Sequence, residues 1–260
     1  MEKKSILAKV VKMYCVLPIN LFGIYAIYIL FIEQPLTYWW IYTFIGYICL
    51  MMLGIAGCYH RLLSHKSYTV SKYIKIILLW FAALAGQGSP VFWVAIHRGY
   101  HHRYADTAND AHSPHNGFWH SYILWMFNFD YKNLNIKTIP DIIRDKECIF
   151  FHRYYGIIFF TSHLIIAMID AQLWLYLLAL PAFLTLHANC INTSLNHYQF
   201  MGYKNFHLAD SSVNSIWLFP FIQGEAWHNN HHHNPKSLNY GQKWWEFDPT
   251  FYLLCLIKKF

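Results

Sequence analysis

Ile48-Cys-Leu-Met-Met-Leu-Gly-Ile-Ala-Gly-Cys-Tyr-His60-Arg-Leu-Leu-Ser-His65 sets the architecture, because an apolar run that begins near residue 38 ends abruptly in an arginine and two histidines. A run of about 20 apolar residues crosses a hydrocarbon core as a helix. The histidines then lie where the membrane meets water. Three further stretches of similar length, roughly 15–33, 154–171 and 172–190, have the same character. Together with 38–57 they predict an all-α integral membrane protein of four transmembrane helices in two hairpins. Segments 58–153 and 191–260 form a histidine-rich helical cap within a single domain spanning 1–260.

Composition agrees with that architecture. Of the 260 residues 56% are hydrophobic, 20% aromatic and only 13% charged, which excludes a soluble domain of this size. All 20 Lys and Arg fall in 1–12, 61–153 or 204–259, outside every span and every far-side turn. By the positive-inside tendency both termini and the cap face the cytoplasm. The net charge of +7 is therefore read as a topology signal and an attraction for anionic headgroups or a phosphorylated carrier. No nucleic-acid partner is expected. The basic Met1-Glu-Lys-Lys-Ser start precedes an apolar run without a small-residue cleavage pattern, so it reads as the first membrane helix rather than a signal peptide. The six cysteines (15, 49, 58, 148, 190, 255) show no close pairing and are expected as reduced thiols.

Two more clusters repeat the motif of histidines beside an apolar segment: His97-Arg-Gly-Tyr-His101-His102 and Gly224-Glu-Ala-Trp-His228-Asn-Asn-His231-His232-His233. Eight or more imidazoles exceed the four donors of a zinc site. They suit a pair of six-coordinate iron ions. On a helix His97 and His101 share a face, as do His228, His231 and His232. His197, just after the fourth span, is the best additional ligand. Asp106, Asp110 and Glu225 are candidates to orient ligand imidazoles through the other ring nitrogen, with loop caps or salt bridges as their ordinary alternative. His163 and His187, inside spans, read as core histidines satisfied by hydrogen bonds. His112, His115, His120, His152, His207 and His233 read as surface, loop or supporting residues. Residues 73–96 are apolar but interrupted by Gly86-Gln-Gly-Ser-Pro90. A crossing there would separate the first two clusters, so a re-entrant or interfacial helix is expected, with a fifth span as the alternative.

From residue 38 to about 240 the chain resembles the membrane-bound fatty acyl desaturases of the stearoyl-CoA type. The resemblance rests on Tyr59-His-Arg-Leu-Leu-Ser-His-Lys-Ser-Tyr68, Trp93-Val-Ala-Ile-His-Arg98, His101-His-Arg-Tyr-Ala-Asp-Thr107, Asp110-Ala-His-Ser-Pro114, Gly117-Phe-Trp119 and Gly224-Glu-Ala-Trp-His-Asn-Asn-His-His232. It implies a four-helix anchor, a cytoplasmic cap, and two iron ions held by His60, His65, His97, His101, His102, His228, His231 and His232, with His197 as a ninth ligand. It further implies oxygen-dependent insertion of a cis double bond into a long saturated acyl chain, delta-9 by default. The expected carrier is coenzyme A, with acyl carrier protein or a membrane lipid as alternatives. Dioxygen is the co-substrate, and electrons come from an external ferredoxin, rubredoxin-like protein or small cytochrome.

The chain departs from the family pattern in three places. Three residues rather than two separate His97 from the His101-His102 pair, which on an ideal helix turns His97 by about 100°. Tyr122 stands where the family carries a histidine. Thr193 stands where an asparagine holds a metal-bound water, with Asn192 and Asn196 beside it as substitutes. Membrane hydroxylases share the histidine boxes and would return oxygen to the carbon. A metal transporter or sensor is the non-enzymatic alternative, and it lacks the intramembrane carboxylates of a translocation path.

Overall fold

A computed structural model of the protein describes residues 2–33 and 37–259; the reversal expected at 34–36 and the side chains of 2–15, Cys15 included, and of 37 and 131 lie outside the described residues. Its elements are α1 (Glu2–Glu33), α2 (Tyr38–Ser64), α3 (Lys72–Leu84), α4 (Pro90–Ile96), α5 (Lys146–Arg153), α6 (Tyr155–Ile169), α7 (Ala171–Leu195), α8 (Phe219–Ile222), α9 (His228–His233) and α10 (Pro249–Cys255). Short α, 3₁₀ and π segments connect them. No strand occurs among the described residues; Asn214 forms only isolated bridges to Tyr203 and Trp227.

Three helical stretches are long and apolar enough to cross a membrane: Val16–Glu33, Tyr38–Ser64 and Ala171–Leu195. The fourth expected span is shorter than its sequence suggests. α6 has 15 residues, about 22 Å at the α-helical rise, and passes as a span only together with α5, from which it is bent by 68°. Tyr154 makes the break, with φ −104° and ψ 14°. α2 and α7 instead run past their expected ends at 57 and 190, because the polar residues there are buried in the cap. Gln172 Nε2 donates to Glu33 Oε2 at 3.5 Å, and Trp39 stacks on Tyr176 at 5.3 Å, which ties α1 and α2 to α7. His163 accepts from Trp174 Nε1 at 3.0 Å, and His187 lies between Tyr122 and Asn20, so both are hydrogen-bonded core histidines.

The interrupted segment 73–96 folds back rather than crossing. Ser71 caps α3 and Ser89 caps α4, and Pro90 opens α4 where no backbone donor is needed. Between them Gly86 (φ 68°) and Gly88 (φ 98°) supply a left-handed turn that side chains disfavour. Gly86 sits against Ile19 of α1 and Phe159 of α6. The chain then climbs so that His97 and His60 are ring neighbours at 4.6 Å, which rules out the fifth span.

α3 lies so close to α2 that a Cβ on Gly54 would be 2.8 Å from the backbone nitrogen of Ala82. Gly54→Val should therefore push the two helices apart and cost about 1–3 kcal/mol, read as a lowered unfolding midpoint of the solubilised protein. Gly156→Ala is the control, since nothing lies within 4 Å of its Cβ position; an equal loss in both variants would refute the packing argument.

Candidate metal centre

The spacing of the first cluster acquires its meaning from helix type. From Ile48 to Ser64 α2 is π-helical, and the amide of His65 donates to His60 O at 3.1 Å, an i to i+5 bond. At roughly 4.4 residues per turn, residues five apart lie within about 50° of one another, against about 140° on an α-helix. His60 and His65 are thereby placed on one face. The second cluster uses the same device: residues His97–His101 form a π turn closed by the amide of His102 on His97 O. The extra residue in this cluster is absorbed by the wider turn, and His97 and His102 point the same way. His101, four residues on from His97, points elsewhere. The expectation that His97 and His101 share a face is thus corrected. In the third cluster His228 and His232 keep α-helical spacing, while His231 turns away from both.

The result is two groups. His60, His65, His97, His102 and His231 converge in one, and His101, His197, His228 and His232 in the other. All nine histidines singled out from the sequence are included. Nε2 to Nε2 separations in the first group are 3.0 Å (His60, His231), 2.8 Å (His65, His97) and 2.9 Å (His102, His231). In the second they are 3.2 Å (His101, His232), 3.0 Å (His197, His228) and 3.1 Å (His228, His232). With metal–nitrogen bonds of about 2.1 Å, adjacent ligands of an octahedron lie about 3.0 Å apart and those of a tetrahedron about 3.4 Å. These spacings fit six-coordinate ions. The groups adjoin, the rings of His102 and His232 stacking at 4.8 Å.

Carboxylates decide where the protons are. Glu225 Oε2 lies 2.5 Å from His60 Nδ1, Asp110 Oδ2 3.1 Å from His101 Nδ1, and Asp210 Oδ2 3.0 Å from His232 Nδ1. Asp106 Oδ1 is 2.9 Å from His197 Nδ1, within ion-pair distance but off the line of a good hydrogen bond. Each carboxylate favours a proton on Nδ1 and leaves a bare lone pair on Nε2. Burial, and after it the neighbouring imidazoles, hold His65, His97, His102, His228 and His231 below the usual histidine range, in the neutral form that binds metal. Burial does the same for His101 and His232, opposed in part by Asp110 and Asp210. Burial raises the carboxyls themselves. Contacts with His197 and Ser211 at Asp106, with His112 and His101 at Asp110, and with His232 and Ser212 at Asp210 outweigh that effect, so all three stay ionised. His101 and His232 consequently face each other with two lone pairs at 3.2 Å. Only a cation between them makes that arrangement favourable, and a nitrogen-rich donor set of this geometry fits iron.

Asp106, Asp110 and Glu225, all named from the sequence, lie against Nδ1 of His197, His101 and His60. Asp210 was not singled out, since a lone carboxylate in a polar loop carries no signal until the fold brings it to His232. A second ring of residues was equally hidden. Arg61, fully buried, forms ion pairs of 3.0 Å with both Glu225 and Asp248 and lies 4.0 Å from the centre of the Tyr240 ring. The asparagines between the third-cluster histidines act as clamps: Asn229 Oδ1 accepts from the amides of Asn205 and Phe206, and Asn230 Nδ2 donates to Tyr240 O and Glu246 Oε2. Thr193 donates its hydroxyl to backbone carbonyls, Asn196 Nδ2 donates to Asn192 Oδ1 at 2.6 Å, and Asn192 and Thr193 both border a cavity beside the second group. The five described cysteines are all unbridged.

That cavity, about 380 Å³, is bordered by His60, His97, His101 and His228 at one end and extends past Trp93, Ile55, Met51 and Val16. The fatty acid desaturase family model matches residues 37–254. Similar curated proteins include delta-9 acyl-lipid desaturase 2 of Arabidopsis thaliana, 36% identical over 78% of this chain and 66% of that protein. The sn-2 palmitoyl-lipid 9-desaturase of Nostoc sp. (strain 36) is 35% identical over 79% and 73%. An acyl-CoA C20 delta5-desaturase of Anemone leveillei is 29% identical over 89% and 76%. The chain thus spans about two thirds to three quarters of the length of these relatives.

Two substitutions test the supporting shell. Asp210→Asn should weaken metal retention at the second group by about 10–100-fold, so that chelator titration removes one ion per chain early; unchanged titration would show that His232 needs no orienting carboxylate. Arg61→Met leaves Glu225 and Asp248 buried without their cation and should cost about 3–5 kcal/mol of stability, measured by thermal unfolding.

Proposed function

The chain belongs to the fatty acid desaturase family, and on that premise we propose that it is an oxygen-dependent di-iron desaturase that introduces a cis double bond at delta-9 of a saturated acyl chain. His60, His65, His97, His102 and His231 would hold one iron ion and His101, His197, His228 and His232 the other. The observation that carries this reading is the pair of carboxylate-fixed imidazoles, His101 and His232, whose Nε2 atoms meet at 3.2 Å. When bound and reduced, the iron pair supplies from dioxygen an oxidant strong enough for a methylene C–H bond, which no side chain provides.

The protein's own contribution is positioning. Apolar residues of the cavity strip water from the acyl chain and confine it to a narrow path, so that the same methylenes approach the histidine groups on every turnover. Trp93 stacks on His97 at 5.0 Å, walling the cavity where it meets the first group. Asp106, Asp110, Asp210 and Glu225 hold the protons of His197, His101, His232 and His60 on Nδ1 and thus keep the rings aimed. The second group has one imidazole fewer than the first. Asn192, held by Asn196, would hold a water there, where it borders the cavity beside Thr193. Electrons would enter from an external ferredoxin- or cytochrome-type donor at the basic face of the cap, on the cytoplasmic side together with both termini.

In a host whose lipids are profiled by gas chromatography with double-bond localisation, wild type should generate a monounsaturated species at delta-9. The His101→Ala, His102→Ala variant should lower it by at least about 100-fold. A hydroxylated fatty acid in place of the alkene would overturn the desaturase reading in favour of oxygen rebound.

A further inference from the structure

The π-helical end of α2 is held from outside the helix. A π-helix is a rare register, found mostly as single turns, and the carbonyls of its last turn have no partners within it. Here Ser64 Oγ donates to Tyr59 O at 2.7 Å, the amide of His65 to His60 O at 3.1 Å and the amide of Ser67 to Arg61 O at 2.9 Å. Lys66, between the last two, takes a left-handed conformation (φ 55°) that side chains disfavour. The carbonyls of Leu63 and Ser64 are taken by Arg98 of the second cluster.

Every N–H of the Arg98 guanidinium is engaged. Nε donates to Ser64 O at 2.7 Å, Nη2 to Leu63 O and to Asp141 Oδ2 at 3.0 Å, and Nη1 to Asp141 Oδ1 at 2.7 Å and Thr138 O at 3.4 Å. Lys66 Nζ pairs with the same carboxylate at 2.9 Å. One side chain thus joins the end of the first histidine turn to the start of the second. Its neighbours are held from the same segment: the Tyr100 hydroxyl donates to Asn133 O, and a Cβ on Gly99 would lie 3.1 Å from Thr138 Oγ1 and 3.5 Å from Asn135. Arg98, Gly99 and Tyr100 are the three residues that separate His97 from the His101-His102 pair, so residues 133–141 grip the whole of the widened turn. Ile139, fully buried, anchors that segment in the core.

The two histidine groups differ in what aims them. In the second, carboxylates orient His101, His197 and His232 from Nδ1. In the first, among the described residues, only His60 has a carboxylate there. His65, His97 and His102 are therefore aimed by the backbone that carries them, and Arg98 holds that backbone at both turns. We propose that Arg98 is a positioning residue: with residues 133–141 it keeps both histidine turns in π register and so assembles the five-histidine group. Its consequence for metal rests on the reading of the two groups as iron sites; the register of the turns does not.

Arg98→Lys separates the fork from the charge, because an ammonium can still pair with Asp141 but lacks the planar donors that cap Leu63 and Ser64 at the same time. Cobalt(II) is the probe metal, counted per chain after dialysis of the solubilised protein against a chelator series. Wild type should hold two ions. Arg98→Lys should weaken one site about 10–100-fold and leave the other as it is. The loss should add nothing in a His65→Ala background, where the first group is already broken, and should leave no tight site in a His228→Ala background. In metal-free protein the amides of His65 and Ser67 should exchange hydrogen about tenfold faster, the worth of one hydrogen bond. Asp141→Asn, at a partly exposed residue outside both turns, should move both readouts the same way and keeps the test open if Arg98→Lys fails to fold. Two ions held as tightly as in wild type, or amides as well protected, would sink the proposal. Equal weakening of the two sites would also overturn it, since that is what a role in general stability predicts. Faster exchange of the two amides in a protein that binds no cobalt even as wild type would support the register role of Arg98 and remove the metal-centre reading.

Discussion

Buried imidazoles that aim lone pairs at one another are the constraint on which this structure turns. In water each Nε2 would hold a proton or a hydrogen bond. Here carboxylates occupy Nδ1 of His60, His101, His197 and His232, and burial opposes protonation of His101 and His232. What remains is mutual repulsion unless a cation sits within each group. The helices that supply the histidines come from the whole length of the chain, from α2 to α9. The binding of a metal there and the packing of these segments against one another would therefore be one free energy, as expected where a site does not exist in the unfolded chain.

How much of this could be read beforehand depends on the kind of physics involved. The membrane class, the long apolar helices and the nine clustered histidines follow from apolar runs and local motifs, which act over short sequence distances. The fold-back at 85–89 was legible from Gly86 to Pro90 because glycine and proline constrain the backbone wherever they stand. Helix type was not legible. At α-helical pitch the four intervening residues would set His60 and His65 about 140° apart, and only the π-helical register of α2 puts both rings on one face. The same blindness made the extra residue before His101 look like a defect. Asp210, Asp248 and Glu246 gain their roles from partners more than 15 residues away, and no local pattern marks them.

Hydropathy misplaced the helix ends for a related reason. α2 and α7 each continue past their apolar stretch into residues that would be costly in lipid, among them Arg61, Asn192 and Ser194. Those groups are satisfied inside protein. Arg61 meets two carboxylates, Ser194 returns its hydroxyl to Cys190 O, and Asn192 pairs with Asn196. A helix can leave the membrane without ending when another part of the chain provides partners for its polar side chains. α6 has no such extension and stays short.

The π turn at His97 also separates two properties that a change of box spacing would otherwise couple. An additional residue in an α-helix rotates everything beyond it by about 100°. Because the insertion lies after His97 and the wider turn absorbs it there, His102 still joins His97 while Phe92, Trp93 and Ile96 of α4 keep their places along the cavity. Ligand geometry is set downstream of His97, and the wall of the cavity upstream. Box spacing can then vary without disturbing that wall, whereas a residue added within α4 would shift it by about 1.5 Å and turn it by about 100°.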